Sequence, residues 1–318
     1  MVDDMKILTI ITPTFNLVKA GRIEAFRQCV ESVHGQSCLE KIEHIVVDGE
    51  STDGTTAILE KYRERGYFKV VSKKDHSVYE GMNNGLAMAT GKYVLFLNSD
   101  DFFHDKTGLE GALDEVENSG VDYAFGDVHV VMLDGSYLRT WVGSTNGLPF
   151  ATHYCHQSMI VKTSILRGYG GFQLKYKVSS DSDLMLRLYR DQKTCIHYKA
   201  VFTSYREGGV SCLNEQQAIH DHAMAFMEYF GKELGLTFEE CCSIWCFQGL
   251  NHMSWRERML IAKRLGNSNW RQEWKRAVRE HSGLARLLAR WKAEGVHGLV
   301  AALVRRFRRS LCIKLKEL

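Results

Sequence analysis

Along the first hundred residues, apolar positions fall into blocks of two kinds. Ile7–Thr12 (ILTIIT), His44–Asp48 (HIVVD), Phe68–Ser72 and Tyr93–Leu97 (YVLFL) are short apolar runs rich in β-branched or aromatic residues. That is the pattern of strands buried on both faces. Between them, Arg22–His34 places Ile23, Phe26, Val30 and Val33 on one side of a helix. Thr55–Arg65 and Val78–Ala89 read as two more helices, the second ending near Gly91. Alternation of this kind predicts an α/β fold, with a mostly parallel central sheet covered by helices on both faces. In such sheets ligands bind beyond the carboxyl ends of the strands. The polar clusters Pro13–Asn16, Asp48–Thr55 and Asn98–Asp101 each follow a predicted strand.

The second half is less regular. Val121–Met132 alternates as a strand, Asp134-Gly135 marks a hairpin turn, and Ser136–Val142 returns. Leu184–Asp191 reads as a short helix and Thr194–Thr203 as a strand. From about Asn214 helical spacing dominates, which predicts a catalytic domain over 1–215 and a helical C-terminal region over 216–318.

Composition alters this picture little. Hydrophobic residues make up 45% and charged residues 25%, so a core of ordinary size is available. The start, Met1–Lys6, carries two aspartates and lacks the basic, then apolar, pattern of a signal peptide. No run approaches the roughly 18 apolar residues of a membrane-spanning helix. The nine cysteines include no C-x-x-C pair. Cys241, Cys242 and Cys246 sit in an apolar helical run around Trp245, so reduced thiols of a cytosolic protein are expected rather than zinc. Charge is the exception. Leu284–Leu318 holds nine Lys or Arg against Glu294 and Glu317, which is 9 − 2 = +7; the net charge of +3 leaves 3 − 7 = −4 for the rest.

Two clusters carry candidate chemistry. Acidic groups closing a buried strand, as in Asn98-Ser99-Asp100-Asp101, are costly to desolvate without a cation or a good partner. Hard oxygen ligands in a short loop suit Mg2+ or Mn2+; equally, Ser99 or Asp100 suits the cap of a following helix. The run Asp48-Gly49-Glu50-Ser51-Thr52-Asp53-Gly54-Thr55 likewise reads as a tight turn capping a helix, or as a place where Asp48 accepts from a nucleobase.

Together, Thr12-Pro13-Thr14-Phe15-Asn16, Val46–Thr55 and Gly91–Asp101 resemble the signature of the family 2 glycosyltransferases, in order and in spacing. Weaker likeness to bacterial members that build surface polysaccharides continues through Asp75–Gly85 (DHSVYEGMNNG), His156-Gln157-Ser158, Ser180–Leu184 and Gly208–Ser211. The resemblance implies a GT-A fold, Rossmann-like, with a C-terminal helical extension. It implies a nucleotide-sugar pocket formed by Thr12, Pro13, Phe15, Asn16, Asp48, Asp53, Asp75, Asn84, Asn98 and Ser99. It gives Asp100 to Mn2+ or Mg2+ as the last residue of a D-x-D motif. Asn98 stands at the motif's first position, which makes Asp101 a candidate second ligand. Asp181 matches the family's catalytic base, with Ser180 in place of the usual preceding Glu and Asp183 as a rival. His156, Gln157 and Arg206 are candidate contacts to diphosphate or acceptor, although loop and turn roles explain them as well.

The implied activity is inverting transfer of a hexose or N-acetylhexosamine from a UDP-sugar to a saccharide on a lipid diphosphate. The basic tail, with Leu284, Leu287, Leu288, Trp291, Leu299, Val300, Leu303, Val304, Phe307 and Leu311 at helical spacing, fits an anionic membrane surface. It also fits a stripe that packs on the protein. The first of these places the chain in the cytoplasm, peripherally on the inner face of the membrane. A nucleic-acid partner is not expected, since no binding module accompanies the basic residues. A sugar nucleotidyltransferase would need a Gly-rich basic loop where Pro13–Asn16 stands. A catalytically silent binder of nucleotide sugars or membranes is the remaining alternative, suggested by Asn98 and Ser180.

Overall fold

In the computed structural model the described residues are 6–151, 154–209, 214–245, 253, 255–266 and 269–280. The order is β1 (Leu8–Thr14), α1 (Ile23–His34), β2 (Ile42–Asp48), α2 (Thr55–Glu64), β3 (Lys69–Ser72), α3 (Val78–Met88), β4 (Tyr93–Phe96), β5 (Phe102–Phe103) and α4 (Gly108–Ser119). There follow β6 (Tyr123–Val131), β7 (Tyr137–Trp141), β8 (Met159–Lys162), α5 (Thr163–Gly168), α6 (Ser180–Arg190) and β9 (Cys195–Arg206). The helices α7 (Glu215–Phe226), α8 (Phe238–Ile244), α9 (Trp255–Arg264) and α10 (Asn269–Glu280) complete the described chain.

The nine strands form one sheet in the order β3-β2-β1-β4-β8-β6-β9-β5, with β7 paired to β6. Strands β1 to β4 are mutually parallel, β1 lying between β2 and β4. Strand β8 is antiparallel to both β4 and β6, which turns β6 and its parallel neighbour β9 back into the common direction. Six strands therefore point one way, and their carboxyl ends share an edge. The register sets Thr14 beside Asp48 and Asp48 beside Ser72 there.

Helix α1 buries Phe26, Cys29, Val30 and Val33, an i, i+3, i+4, i+7 stripe, against the sheet. Helix α3 is stopped at its start by Ser77, whose hydroxyl accepts from Glu80 N. Its seat on the sheet depends on Gly85: a Cβ there would lie 2.4 Å from Ile11 Cγ2 and 3.0 Å from Val47 Cγ2. Only a residue without a side chain lets α3 approach β1 and β2 this closely. That approach brings Tyr79 and Gly81 of α3 to the strand ends.

The predicted strands and helices of the first hundred residues are present. Helix α4 and the two-residue strand β5 carried no prediction, and α6 begins at Ser180, four residues before the expected Leu184. The C-terminal helices form an aromatic core of Phe226, Phe230, Trp245 and Trp274 that also takes in Phe150, Tyr176 and Leu186. The cytosolic-thiol reading of Cys246 and the basic stripe over 284–311 lie outside the described residues. Among the described residues no helix is long and apolar enough to cross a membrane.

Candidate active site

The site is built at the shared carboxyl edge by loops that hold one another. After β1 the chain passes through Asn16, whose φ of 47° lies in the left-handed region that Asn tolerates. Asn16 N donates to Ser51 Oγ at 2.8 Å, and Asn16 Oδ1 accepts from Thr52 N at 3.0 Å. The loops after β1 and β2 are thereby joined. Asp48, 1% exposed, accepts from Ser51 N at 3.0 Å and from Ser51 Oγ. A carboxylate has about four acceptor positions, so further hydrogen-bond capacity remains on Asp48.

Asp75 closes the same corner. Its carboxyl oxygens lie 2.9 Å from where a Cβ on Gly49 would be, and Oδ2 is 2.9 Å from that position on Gly81. Gly81 also faces Pro13 Cβ. Burial, with the charges of Glu80 and Asp48 nearby, pushes the Asp75 carboxyl up to about 6. Pro13, Asp48, Gly49, Asp75 and Gly81 thus enclose one small volume. Phe15, the first residue after β1, is 57% exposed. Asn84 accepts from Lys73 Nζ at 2.8 Å and leaves its Nδ2 buried without a hydrogen-bond partner.

The loop after β4 supplies the second part. Asp100 is ion-paired with Arg22, the residue that precedes α1. Asn98 donates from Nδ2 to Asp101 Oδ2, and its Oδ1 is buried with no partner among the described residues. Ser99 beside it is partly exposed. One carboxylate and one orphaned amide oxygen fit a cation such as Mg2+ or Mn2+, which takes few protein ligands and completes its shell with phosphate and water. Among the described residues no group of three or more His, Cys, Asp or Glu is placed to hold a metal without such help.

The third part comes from α6 and from the single turn His156–Ser158. Asp181 lies in the first turn of α6, where the helix end favours a negative charge. Its Oδ1 accepts from Tyr79 OH at 2.9 Å, and its Oδ2 is 3.1 Å from His156 Nδ1. Burial alone would raise this carboxyl; the hydrogen bond and charge of His156 outweigh it and hold Asp181 at about 2. The next residue, Gln157, donates from Nε2 to Asp101 Oδ2 at 2.9 Å. One turn therefore ties the Asp181 carboxylate to the loop after β4, while α3 carries both Tyr79 and the wall of the Asp75 corner.

Several of the residues singled out in the sequence have protein partners of their own. Thr12 is fully buried and pairs with His44 Nε2 at 3.0 Å, so its side chain is part of the core. Asp53 spends its oxygens on Lys19 N, Thr55 N and Thr55 Oγ1, which makes it a turn-former and cap. Asp101 is 1% exposed and accepts from Asn98, Gln157 and Arg206 N, so three of its acceptor positions are taken up by the protein. Arg206 is a clamp and not a mobile cation. Its guanidinium donates to Asp100 O, Met132 O, Leu133 O and Gln28 Oε1. The rival Asp183 is fully buried, paired with Arg187 at 2.8 Å and bonded by Tyr229 OH. Residues two apart on a helix face different ways, and here Asp181 faces Tyr79 and His156 while Asp183 faces the core.

Tyr79 and Arg22 were missed. Tyr79 lies within the DHSVYEGMNNG segment and could have been suspected there; nothing in the periodicity around Arg22 points to Asp100.

Comparison with known proteins agrees with this architecture. The family model for glycosyl transferase family 2 matches residues 9–156. A PGL/p-HBAD biosynthesis glycosyltransferase of Mycobacterium tuberculosis is 29% identical over 208 residues, covering 64% of this chain and 78% of the relative. The poly(ribitol-phosphate) beta-N-acetylglucosaminyltransferase TarP of Staphylococcus aureus is 32% identical over 119 residues, 36% of this chain and 33% of TarP. Among solved structures, S. aureus TarS 1-349 in complex with UDP-GlcNAc aligns with a TM-score of 0.56 at 17% identity, covering 96% of this chain and 92% of that one. Against a longer TarS chain, the alignment spans 54% of its length. The mannosyltransferase PcManGT of Pyrobaculum calidifontis, in complex with GDP-Man and Mn2+, aligns with a TM-score of 0.52 at 19% identity, over 96% of this chain and 80% of that one. These structural likenesses establish the GT-A fold. Over residues 9–156 the chain matches family 2 of the glycosyltransferases, and the three ordered strand-end motifs all lie within that match.

Proposed function

We propose that the chain transfers a hexose or N-acetylhexosamine from a UDP-sugar to a saccharide carried on a lipid diphosphate, with inversion, in bacterial surface-polysaccharide assembly. The observation that carries this reading is the linkage of three loops at one sheet edge. The Asp48–Asp75 corner, the Asp100 loop and the Asp181 carboxylate are joined through Tyr79, His156 and Gln157.

In this reading Pro13, Phe15 and Asp48 receive the uracil, with Asp48 accepting from the base. Asp100, with the amide oxygen of Asn98, would hold Mn2+ or Mg2+. When bound, such an ion offsets the negative charge that develops on the departing diphosphate. Asp181 takes the proton of the acceptor hydroxyl while the new glycosidic bond forms and the bond from the anomeric carbon to the diphosphate breaks. A single displacement from the face opposite the leaving group inverts the anomeric configuration. The named activities of the mycobacterial relative and of TarP support a glycolipid or polymer acceptor, and the UDP-GlcNAc complex of TarS supports the donor class.

Hydrolysis of UDP-GlcNAc by the purified protein, dependent on Mn2+ and absent in Asp100→Ala, is the expected result. Metal-independent hydrolysis unaffected by that substitution would contradict the cation role. A donor screen against GlcNAc- and GalNAc-diphosphate-lipid analogues, read by mass spectrometry, then fixes sugar and acceptor. The basic stripe over 284–311, read from the sequence, supports docking at the inner membrane face. Sedimentation with anionic vesicles should be lost when 284–318 is deleted, and undiminished binding would remove this part.

A further inference from the structure

We infer that His156 is a positioning residue for the proton-accepting step, keeping the Asp181 carboxylate ionised and aimed through a hydrogen bond from Nδ1. The inference rests on the reading of Asp181 as base and assigns the residue that makes it usable.

An ionised carboxylate can only accept, so the hydrogen between Asp181 Oδ2 and His156 Nδ1, 3.1 Å apart, resides on Nδ1. The other oxygen is served less fully. Tyr79 OH has one hydrogen and two acceptors within reach, Val178 O at 2.8 Å and Asp181 Oδ1 at 2.9 Å. A hydrogen divided between a carbonyl and a carboxylate gives the carboxylate only part of its strength. The groups that face Asp181 are Tyr79 from α3, Cys155 and His156 from the turn, and His222 from α7. Burial pushes the Tyr79 hydroxyl far up and the Cys155 thiol up, so neither carries charge. His222 directs Nε2 to Ser182 Oγ at 2.7 Å, and burial lowers its basicity. Among these groups His156 alone has its ring nitrogen on the carboxylate.

The turn is itself anchored. Gln157 is held on Asp101, and Ser158 Oγ donates to Gly126 O at 2.8 Å and reaches Cys155 O at 3.0 Å. A fixed turn gives the imidazole one position, and among the described residues the opposite ring nitrogen, Nε2, is buried without a partner. Among those residues, donation to Asp181 is the one hydrogen bond of this ring.

The test is the pH dependence of Mn2+-supported UDP release from UDP-GlcNAc by the full chain. His156→Ala should raise the pH at which activity falls on the acid side. Its kcat at pH 5.5 should drop by about tenfold or more relative to pH 8, with KM for UDP-GlcNAc unchanged. His156→Asn, which can donate from nearly the place of Nδ1, should return the acid limb toward the wild-type position. An acid limb that His156→Ala leaves in place, or that His156→Asn fails to return, overturns the inference. Should the alanine variant not fold, the Nδ1 proton resonance of the wild-type imidazole decides: it should vanish or move in Asp181→Asn, and persistence unchanged is the overturning result. Full turnover in Asp181→Asn would instead remove the base reading itself. An inactive Asp181→Asn beside an unshifted His156→Ala would remove only the role of His156.

Discussion

Arg206 and Asp101 are 105 positions apart in sequence and meet at the edge of the site. The amide of Arg206 donates to Asp101 Oδ1 at 2.8 Å, while its Nε donates to the carbonyl of Asp100 at 2.9 Å. The same guanidinium then reaches across to Leu133 O and Met132 O at the β6–β7 hairpin. The carboxylate loop is thus fastened to the β6–β7 hairpin by the Arg206 guanidinium.

This arrangement predicts a stability effect rather than a direct binding effect for Arg206. Arg206→Ala removes four side-chain hydrogen bonds and leaves the carbonyls of Asp100, Met132 and Leu133 and the amide oxygen of Gln28 short of donors, while the backbone amide that serves Asp101 remains. The expected loss is about 2–4 kcal/mol, measured by denaturant unfolding. Arg206→Lys should recover little of it, because an ammonium cannot reproduce the planar fork. A lysine variant with wild-type stability and weakened UDP binding would restore Arg206 to the diphosphate.

Gly85 predicts a second structural cost. The Cβ of Gly85→Ala would enter the van der Waals shell of Ile11 and Val47, both fully buried, so α3 must move off the sheet. Overpacking of this kind costs about 1–3 kcal/mol. Because α3 also carries Tyr79 and Gly81, transfer activity should fall at temperatures where the variant remains folded. Activity and melting temperature both equal to wild type would mean that α3 tolerates the shift without disturbing the site.

Much of this was legible before any coordinates. The strands β1 to β4 read clearly because each is buried on both faces and leaves a continuous apolar run, and the strand-end rule then located Asp48 and Asp100. What remained hidden depends on partners far away in sequence. Asp101 and Asp100 are neighbours with the same side chain, yet one is enclosed by Gln157 and Arg206 and the other meets Arg22. Arg206 looked like a cation beside a glycine-rich loop, and only the carbonyls of Met132 and Leu133 reveal it as a clamp. Thr12 sits within the motif, but strand alternation turns its hydroxyl toward His44. Helix α4 escaped notice although Leu109, Ala112, Leu113 and Val116 form a regular buried stripe.

The two aspartates of α6 should separate cleanly. Asp183 is enclosed with Arg187, and loss of one member of a buried pair costs about 3–5 kcal/mol. Asp183→Ala is therefore expected to lower stability strongly, with lost activity following lost folding. Asp181, 23% exposed on its side chain, should behave in the opposite sense. Asp181→Asn should melt near wild type, bind UDP normally by calorimetry and show no transfer. Wild-type transfer in the asparagine variant, or a fully stable Asp183→Ala that has lost only catalysis, would exchange the two assignments.

Asp75 gives a prediction with a definite sign in pH. Its carboxyl is pushed up to about 6 by burial and by Glu80 and Asp48, so the folded protein holds that proton more tightly than the unfolded chain. Where the folded state binds more protons, stability falls as pH rises. For this group the fall spans about pH 4 to 6, from the carboxyl's unfolded value to its folded one. Above that window the ionised Asp75 costs at most about 3 kcal/mol, an order of magnitude from its shift that solvent screening at this partly exposed site reduces. Asp75→Asn cannot ionise, so it should be more stable than wild type at pH 8, with the gap closing toward pH 4. Urea unfolding at the two pH values measures it. A nucleotide whose base donates to Asp75 would offset the cost of ionisation, so added UDP should stabilise wild type more than Asp75→Asn at pH 8. Equal stabilisation of both proteins by UDP would show that Asp75 shapes the corner without touching the nucleoside.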